Sequence, residues 1–260
     1  MSPQSVYTRE AREHLREAGR LPLLTEKQTA HLPDVVQQYI RRSGALGQPQ
    51  VAIFKLIFHG RIRSGPRARW MPFCGQQQNT YGPISRIFLM NASMFGLPFQ
   101  ALHRFSGASA TMQVKIASLF TVVDASGPEM SLAETVTLLN DMCLFAPGAL
   151  IDPNIRWQEV DAHTVTASFT HCDHTIQATL VFNGQSELVD FTSDDRMAAS
   201  RDGKSFVRRR WSTPVREHAL YDSHLVVKRG DAAWHSSEGE FTYLELELDA
   251  IQYNVADIVS

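Results

Sequence analysis

The stretch 131–151, SLAETVTLLNDMCLFAPGALI, constrains the fold most. It is a long helical pattern in the middle of the chain, and most of the sequence around it shows the patterns of β-strands. Ser131 and Glu134 have the spacing of a capping box, which marks a helix start. Pro147 and Gly148 cannot continue the helix. Apolar residues fall on most sides between these signals, which is typical of a buried helix. We therefore predict a central buried helix over residues 131–146.

The hydrophobic period changes from helical to alternating at Val51. The segment VAIFKLIFHGRIR alternates apolar and polar residues, as a half-buried strand does, and further strands follow to residue 254. Residues 94–107 are interpreted as an irregular apolar segment, and residues 194–204 as a polar loop. We predict a mainly β (α+β) fold, in which a curved antiparallel sheet or half-barrel wraps around the central helix, with helices at the N-terminus. Residues 1–30 form a peripheral helical segment, and residues 31–260 form a single curved-sheet domain.

Composition excludes several classes of protein. The formal net charge of −2 gives no overall attraction to nucleic acid. No apolar run approaches the roughly 20 residues needed to span a bilayer, and the N-terminus has no secretory signal. Three widely spaced cysteines are typical of reduced thiols, so we expect a cytoplasmic protein. Phosphate-binding, nucleophile-elbow and dinucleotide motifs are missing from the sequence, so we expect no cofactor.

Several motifs resemble those of an uncharacterised bacterial family of about this chain's length, for which no activity is established. The resemblance runs from Leu32 onward. Some relatives begin with membrane-spanning segments; we expect none in this sequence, so the resemblance implies no membrane location. The matching stretches include Trp70-Met71-Pro72-Phe73, Asn140-Asp141-Met142-Cys143, Asp195-Arg196, Trp211 and Tyr253-Asn254-Val255.

The order of strands, central helix and further strands is also similar to the half-barrel of bacterial lipoprotein carriers. Those proteins hold acyl chains between a curved sheet and a helical plug. The similarity is one of topology without shared motifs, and fold alone does not determine function.

Three groups of residues invite a chemical interpretation. His171-Cys172-Asp173-His174 has ligand types suited to zinc, but it fills a hairpin turn and lacks a second cluster, so we predict no metal site. Cys143 is either a nucleophile or a small buried hydrophobe. Asn140 and Asp141 point about 100° apart on the helix. They either anchor the sheet or an arginine, or Asp141 acts as an acid or base with a pKa raised by burial.

The leading hypothesis is that an apolar or amphipathic small molecule, such as one with an acyl chain, binds between sheet and helix. An enzyme in the same cavity, hydrolysing or isomerising an apolar substrate with Asp141 or His103 as base, is the first alternative. A structural or interaction protein with a filled core is the second. The predicted apolar wall is Trp70, Phe73, Met94, Phe95, Phe99 and Met142, and the predicted polar contacts are His103, Asn140, Asp141 and Arg196.

Overall fold

Helices form at both places where the sequence has a helical period. The computed structural model describes residues 2–15, 21–94, 96–117, 120–200 and 203–255, with only the backbone at 14, 15 and 94. In these residues no helix is both long and apolar enough to cross a membrane. The α-helices are α1 Pro3–Leu15, α2 Glu26–Thr29, α3 Asp34–Arg42 and α4 Pro128–Phe145, and a short 3-10 helix covers Pro147–Ile151.

Strands make up most of the rest of the described chain. They are β1 Ile53–Ile62, β2 Met71–Tyr81, β3 Ile84–Met94, β4 Leu97–Ser106, β5 Ser109–Ile116, β6 Phe120–Ser126, β7 Ile155–Asp161, β8 Thr164–His171, β9 His174–Phe182, β10 Leu188–Ser193, β11 Met197–Ala199, β12 Phe206–Arg208, β13 Trp211–Ser212, β14 Val215–Tyr221, β15 His224–Ser236 and β16 Gly239–Tyr253.

A single antiparallel sheet contains 14 of these strands, in the order β6-β5-β4-β3-β2-β1-β16-β15-β13-β10-β9-β8-β7, with β14 paired to β15. Helix α4 contacts β5 and β6 near one end of this order and β9 and β10 near the other. Because both ends of the sheet touch one helix, the sheet wraps around it as an open half-barrel. The predicted mainly β class and the curved sheet around a central helix are confirmed.

The start of α4 differs from the prediction. The helix begins one turn earlier, at Pro128, with Gly127 before it at φ 105°. Proline suits the first helical turn because its φ is already helical and its missing N–H needs no partner there. The Ser131 hydroxyl instead accepts a hydrogen bond from the Ala110 backbone N–H at 3.1 Å. The S-x-x-E pattern was therefore wrong as a capping box, since both residues serve tertiary contacts.

The last turn of α4 is buried, so its free carbonyl groups need partners. The Tyr39 hydroxyl on α3 donates to the Cys143 carbonyl at 2.6 Å, and the Tyr253 hydroxyl on β16 donates to the Phe145 carbonyl at 2.5 Å. These two bonds join the C-terminal end of the helix to the N-terminal helical layer and to the middle of the sheet.

Residues 94–107, predicted as irregular, contain strand β4. The alternation that identifies a half-buried strand is hidden here because both faces of β4 are covered. Leu102 packs outward in a cluster with Tyr7 and Ala11 of α1, while Ala101 is buried on the opposite face. Helix α1, which belongs to the predicted peripheral segment, thus lies against the outer face of the sheet.

The predicted polar loop at 194–204 also contains regular structure, because β11 pairs with β12 to form a hairpin. Strand β11 contacts α4, and Gly203 lies against β6. Gly203, at φ 74°, packs so closely there that an added Cβ would lie 2.7 Å from Val123 Cγ1. The hairpin therefore crosses the open side of the half-barrel.

We predict that Tyr39→Phe lowers the free energy of unfolding by about 1–3 kcal/mol, because it leaves the buried Cys143 carbonyl without a donor. The substitution keeps the ring and its packing against Phe182, so it isolates the hydroxyl. Urea denaturation measures the difference. An unchanged unfolding midpoint would contradict this role of Tyr39.

Candidate functional site

A cavity of about 410 Å³ lies between α4, the concave face of the sheet and the β11–β12 hairpin. Its wall is mainly apolar because alternate residues of each strand point inward. On β4 these are Phe99, Ala101 and His103, and on β5 they are Met112 and Val114. Other apolar wall residues include Leu56, Phe58, Phe88, Met90, Met130, Leu144, Trp211, Val227, Trp234, Leu244 and Leu246.

Arg86 lies at the polar end of this wall, on the inward face of β3. Its side chain is 7% exposed. Nη1 donates to Glu134 Oε2 at 2.9 Å, Nε donates to Asp141 Oδ2 at 2.7 Å, and Nη2 donates to Gln77 Oε1 at 3.1 Å. A buried guanidinium is tolerated when its donors are bonded and its charge is paired. Arg86 therefore joins β3 to α4 at two points.

Asp141 is held from three directions. Its Oδ2 accepts hydrogen bonds from Gln77 Nε2 at 2.8 Å, from Asn79 Nδ2 at 2.9 Å and from Arg86. Burial raises the pKa of Asp141 above its ordinary value, and Arg86 and Asn79 oppose that rise without cancelling it. The three donors favour the charged form of this carboxyl group. Of the two readings of Asp141, the anchor for an arginine is the one that these contacts support.

Glu134 has one satisfied and one unsatisfied oxygen. Oε2 is bonded to Arg86, whereas Oε1 is buried without a hydrogen-bond partner in the described structure. His103 Nδ1 is 3.5 Å from Oε1 and Arg196 Nη2 is 3.7 Å from it. Burial raises the pKa of Glu134, but Arg86, His103 and Arg196 outweigh it and hold the pKa well below its ordinary value. Glu134 is therefore charged.

Arg196 directly precedes β11, and its side chain lines the cavity. Its guanidinium lies 5.3 Å from the centre of the Trp211 ring, a cation–π distance. The Nε–H is buried and has no hydrogen-bond partner among the described residues. Arg196 is thus held by stacking and by charge, with donor capacity left over.

The side chains of Asn140 and Asp141 point in different directions from α4, as their successive helix positions predict. Asn140 Nδ2 donates to the Thr213 hydroxyl at 2.6 Å, whereas Asp141 bonds to β2 and β3. Both residues line the cavity, from neighbouring parts of its wall. Phe99, His103 and Arg196 also line it, so five of the predicted site residues meet at one cavity.

Other predicted wall residues lie elsewhere. Trp70 lies outside the cavity wall, with the guanidinium groups of Arg61 and Arg63 at 4.7 and 4.4 Å from its ring. Phe73 is buried behind Phe58, with ring centres 6.1 Å apart. Met142 is fully buried in the general hydrophobic core. Their apolar character led to their prediction as wall residues. Their positions on the sheet side and on α4 turn their side chains away from the cavity.

The Met94 side chain and Phe95 lie outside the described residues. Gln77, Asn79, Arg86 and Glu134 are site residues that the sequence interpretation missed. The sequence does contain a signal for Arg86. This residue lies two residues before the apolar Phe88 in β3, so both side chains are on the inward face of the strand. A charged residue at such a position needs a buried partner.

Neither the His171–His174 turn nor Cys143 has the surroundings of a functional site. His171 to His174 form the tight turn between β8 and β9, with Cys172 at φ 49°. The described residues contain no group of three or more His, Cys, Asp or Glu side chains arranged to hold a metal ion. Cys143 is fully buried, and burial raises the pKa of its thiol well above the ordinary value. A thiol in this environment is a poor nucleophile.

Residues 22–246 match the model of a protein family described as a family of unknown function, DUF6544. The chain belongs to this family. The assignment confirms the resemblance to an uncharacterised family. A search of curated proteins gives no match.

Three solved structures are similar to this member of DUF6544. A DUF1329 family protein from Desulfovibrio piger has a TM-score of 0.45 and 10% identity, over 85% of this chain and 92% of the other. A LolA superfamily protein from Nitrosomonas europaea has a TM-score of 0.45 and 11% identity, over 84% and 93%. A domain titled as an outer membrane lipoprotein-sorting protein, from Vibrio parahaemolyticus, has a TM-score of 0.41 and 8% identity, over 78% and 85%.

We predict that Arg86→Met lowers the free energy of unfolding by about 3–5 kcal/mol, because it leaves two buried carboxylates without their cation. Arg229→Met is the matched control, since it breaks an ion pair with Glu247 in which the arginine is half exposed. Exposed pairs contribute little. Denaturant unfolding compares the variants, and equal losses in both would contradict the structural role of Arg86.

Proposed function

We propose that the protein binds an apolar or amphipathic small molecule in the cavity between α4 and the half-barrel. The main support for this proposal is the cavity itself, which has a volume of about 410 Å³ and a mainly apolar wall. Small-molecule sites are typically concave, roughly 300–1,000 Å³ in volume and apolar, with a few polar groups that fix orientation. The Arg86, Glu134 and Arg196 cluster supplies such polar groups.

The volume of the cavity argues against the filled-core alternative. A space of about 410 Å³ leaves the apolar side chains of its wall without the contacts that close packing would give them. A ligand that occupies the space supplies those contacts.

Ligand binding also explains why aromatic and methionine side chains line the cavity. Phe88, Phe99 and Met112 come from three neighbouring strands, and Trp211 and Trp234 come from the other side. Aromatic and thioether side chains supply large, adaptable apolar contact surfaces. At about 25 cal/mol per Å² of buried apolar area, contact with such a wall is the main source of affinity for an apolar body.

An enzyme in the same cavity is the second candidate, and its specific support is His103. The ring lies at the wall with its Nδ1 3.5 Å from Glu134 Oε1, so a carboxylate lies beside a candidate imidazole base. Asp141 is not suited to that role, because its Oδ2 is occupied by three donors.

We predict that Val114→Trp lowers affinity for the neutral fluorescent probe N-phenyl-1-naphthylamine at least about tenfold, which is about 1.4 kcal/mol. Val114 lines the cavity, so an indole there occupies ligand volume. Gln113→Trp is the matched control, since adjacent strand residues face opposite sides. Equal binding by both variants, measured by fluorescence titration, would contradict the proposed site.

We predict that His103→Gln retains probe affinity within a few-fold, because a binding site needs no base. Incubation of wild-type protein with an apolar ester, followed by mass spectrometry, tests the enzyme alternative. Product that forms with wild-type protein and falls by about 10²–10⁴-fold in His103→Gln would favour the enzyme over a simple binder.

A further inference from the structure

Two buried polar atoms at the cavity have no hydrogen-bond partner among the described residues: Glu134 Oε1 and Arg196 Nε. The Glu134 side chain is 1% exposed and that of Arg196 is 13% exposed. Buried polar atoms in proteins are nearly always bonded, so each exception calls for an explanation. Both residues line the cavity.

The two atoms differ in chemical character. Oε1 of a charged carboxylate only accepts hydrogen bonds, and the arginine Nε–H only donates them. The two side chains approach each other without bonding, since Arg196 Nη2 is 3.7 Å from Oε1. That distance is too long for a hydrogen bond. A group that donates to one residue and accepts from the other is therefore the complementary partner.

Charge balance restricts that group further. Two guanidinium groups, those of Arg86 and Arg196, lie against two carboxyl groups, those of Glu134 and Asp141. A ligand that brings a full charge into this cluster adds a buried ion with no counter-ion, which is unfavourable. A carboxylate or phosphate group would also approach Glu134 Oε1, and an ammonium group would approach Arg196.

We propose that the gap between Glu134 Oε1 and Arg196 Nε binds the neutral head group of an amphipathic ligand, a hydroxyl or a primary amide. The head group donates to Oε1 and accepts from Nε–H, while the apolar chain lies along the wall that includes Phe99 and Val114. This inference rests on the proposed function. It adds that the ligand is uncharged at its polar end.

Competition with N-phenyl-1-naphthylamine tests the inference at pH 8, with ligands that share one decyl chain. We expect 1-decanol to bind at least tenfold more tightly than decanoate and decylammonium, and more tightly than decane. Tightest binding by decanoate or decylammonium would overturn the inference. Equal binding by all four would also overturn it, while leaving the proposed function intact. Failure of the probe and of all four ligands to bind would refute the proposed function itself.

Arg196→Met separates head-group recognition from general binding. We expect the affinity for 1-decanol to fall about tenfold, to the level of decane, because the donor is lost. Affinity for decane should stay within about twofold, which also reports that the cavity is intact. Arg208→Met is the control, since Arg208 lies on the same hairpin and pairs with Asp195 outside the cavity wall. An equal loss for decane and decanol in Arg196→Met would contradict a role at the head group.

Discussion

The buried ion pairs of Arg86 hold the structure of the cavity together. Glu134 and Asp141 are seven residues apart on α4, close to two helical turns, so both project from one side of the helix. Arg86 bonds to both of them from β3. Two contacts along one helix fix its distance and its rotation relative to the sheet. Because these bonds span the space between helix and strand, apolar side chains beside them need not meet, and a cavity remains.

The same arrangement determines the chemistry of the cavity. Strands on both sides contribute mainly apolar side chains. The helix contributes Met130, Leu144 and Phe145 together with a row of polar side chains, Glu134, Thr137, Asn140 and Asp141. Most of these polar groups are bonded to the protein: Asn140 to Thr213, and Asp141 to β2 and β3. The wall therefore offers a large apolar surface and few free polar atoms. Such a surface suits a ligand with a long apolar body and one small polar group.

Much of this fold was predictable from the sequence, because the central helix and the alternating strands have distinct hydrophobic periods. The failures have physical causes. Strand β4 lost its alternation because α1 covers its outer face, and that contact depends on residues about 90 positions away. The Ser131–Glu134 pattern resembled a cap because tertiary contacts use the same residue types. Asp141 was recognised as a buried carboxylate, but its partner Arg86 depends on how β3 is placed against α4, which no local pattern encodes.

We propose that the space between helix and sheet holds a small apolar or amphipathic molecule. The decisive measurement is native mass spectrometry of freshly purified protein, prepared without detergent and followed by solvent extraction. We expect a stoichiometric adduct that extraction releases as an organic molecule with an apolar chain, or uptake of an added amphiphile to the same stoichiometry. A protein that shows only its own mass and takes up no added amphiphile would contradict it.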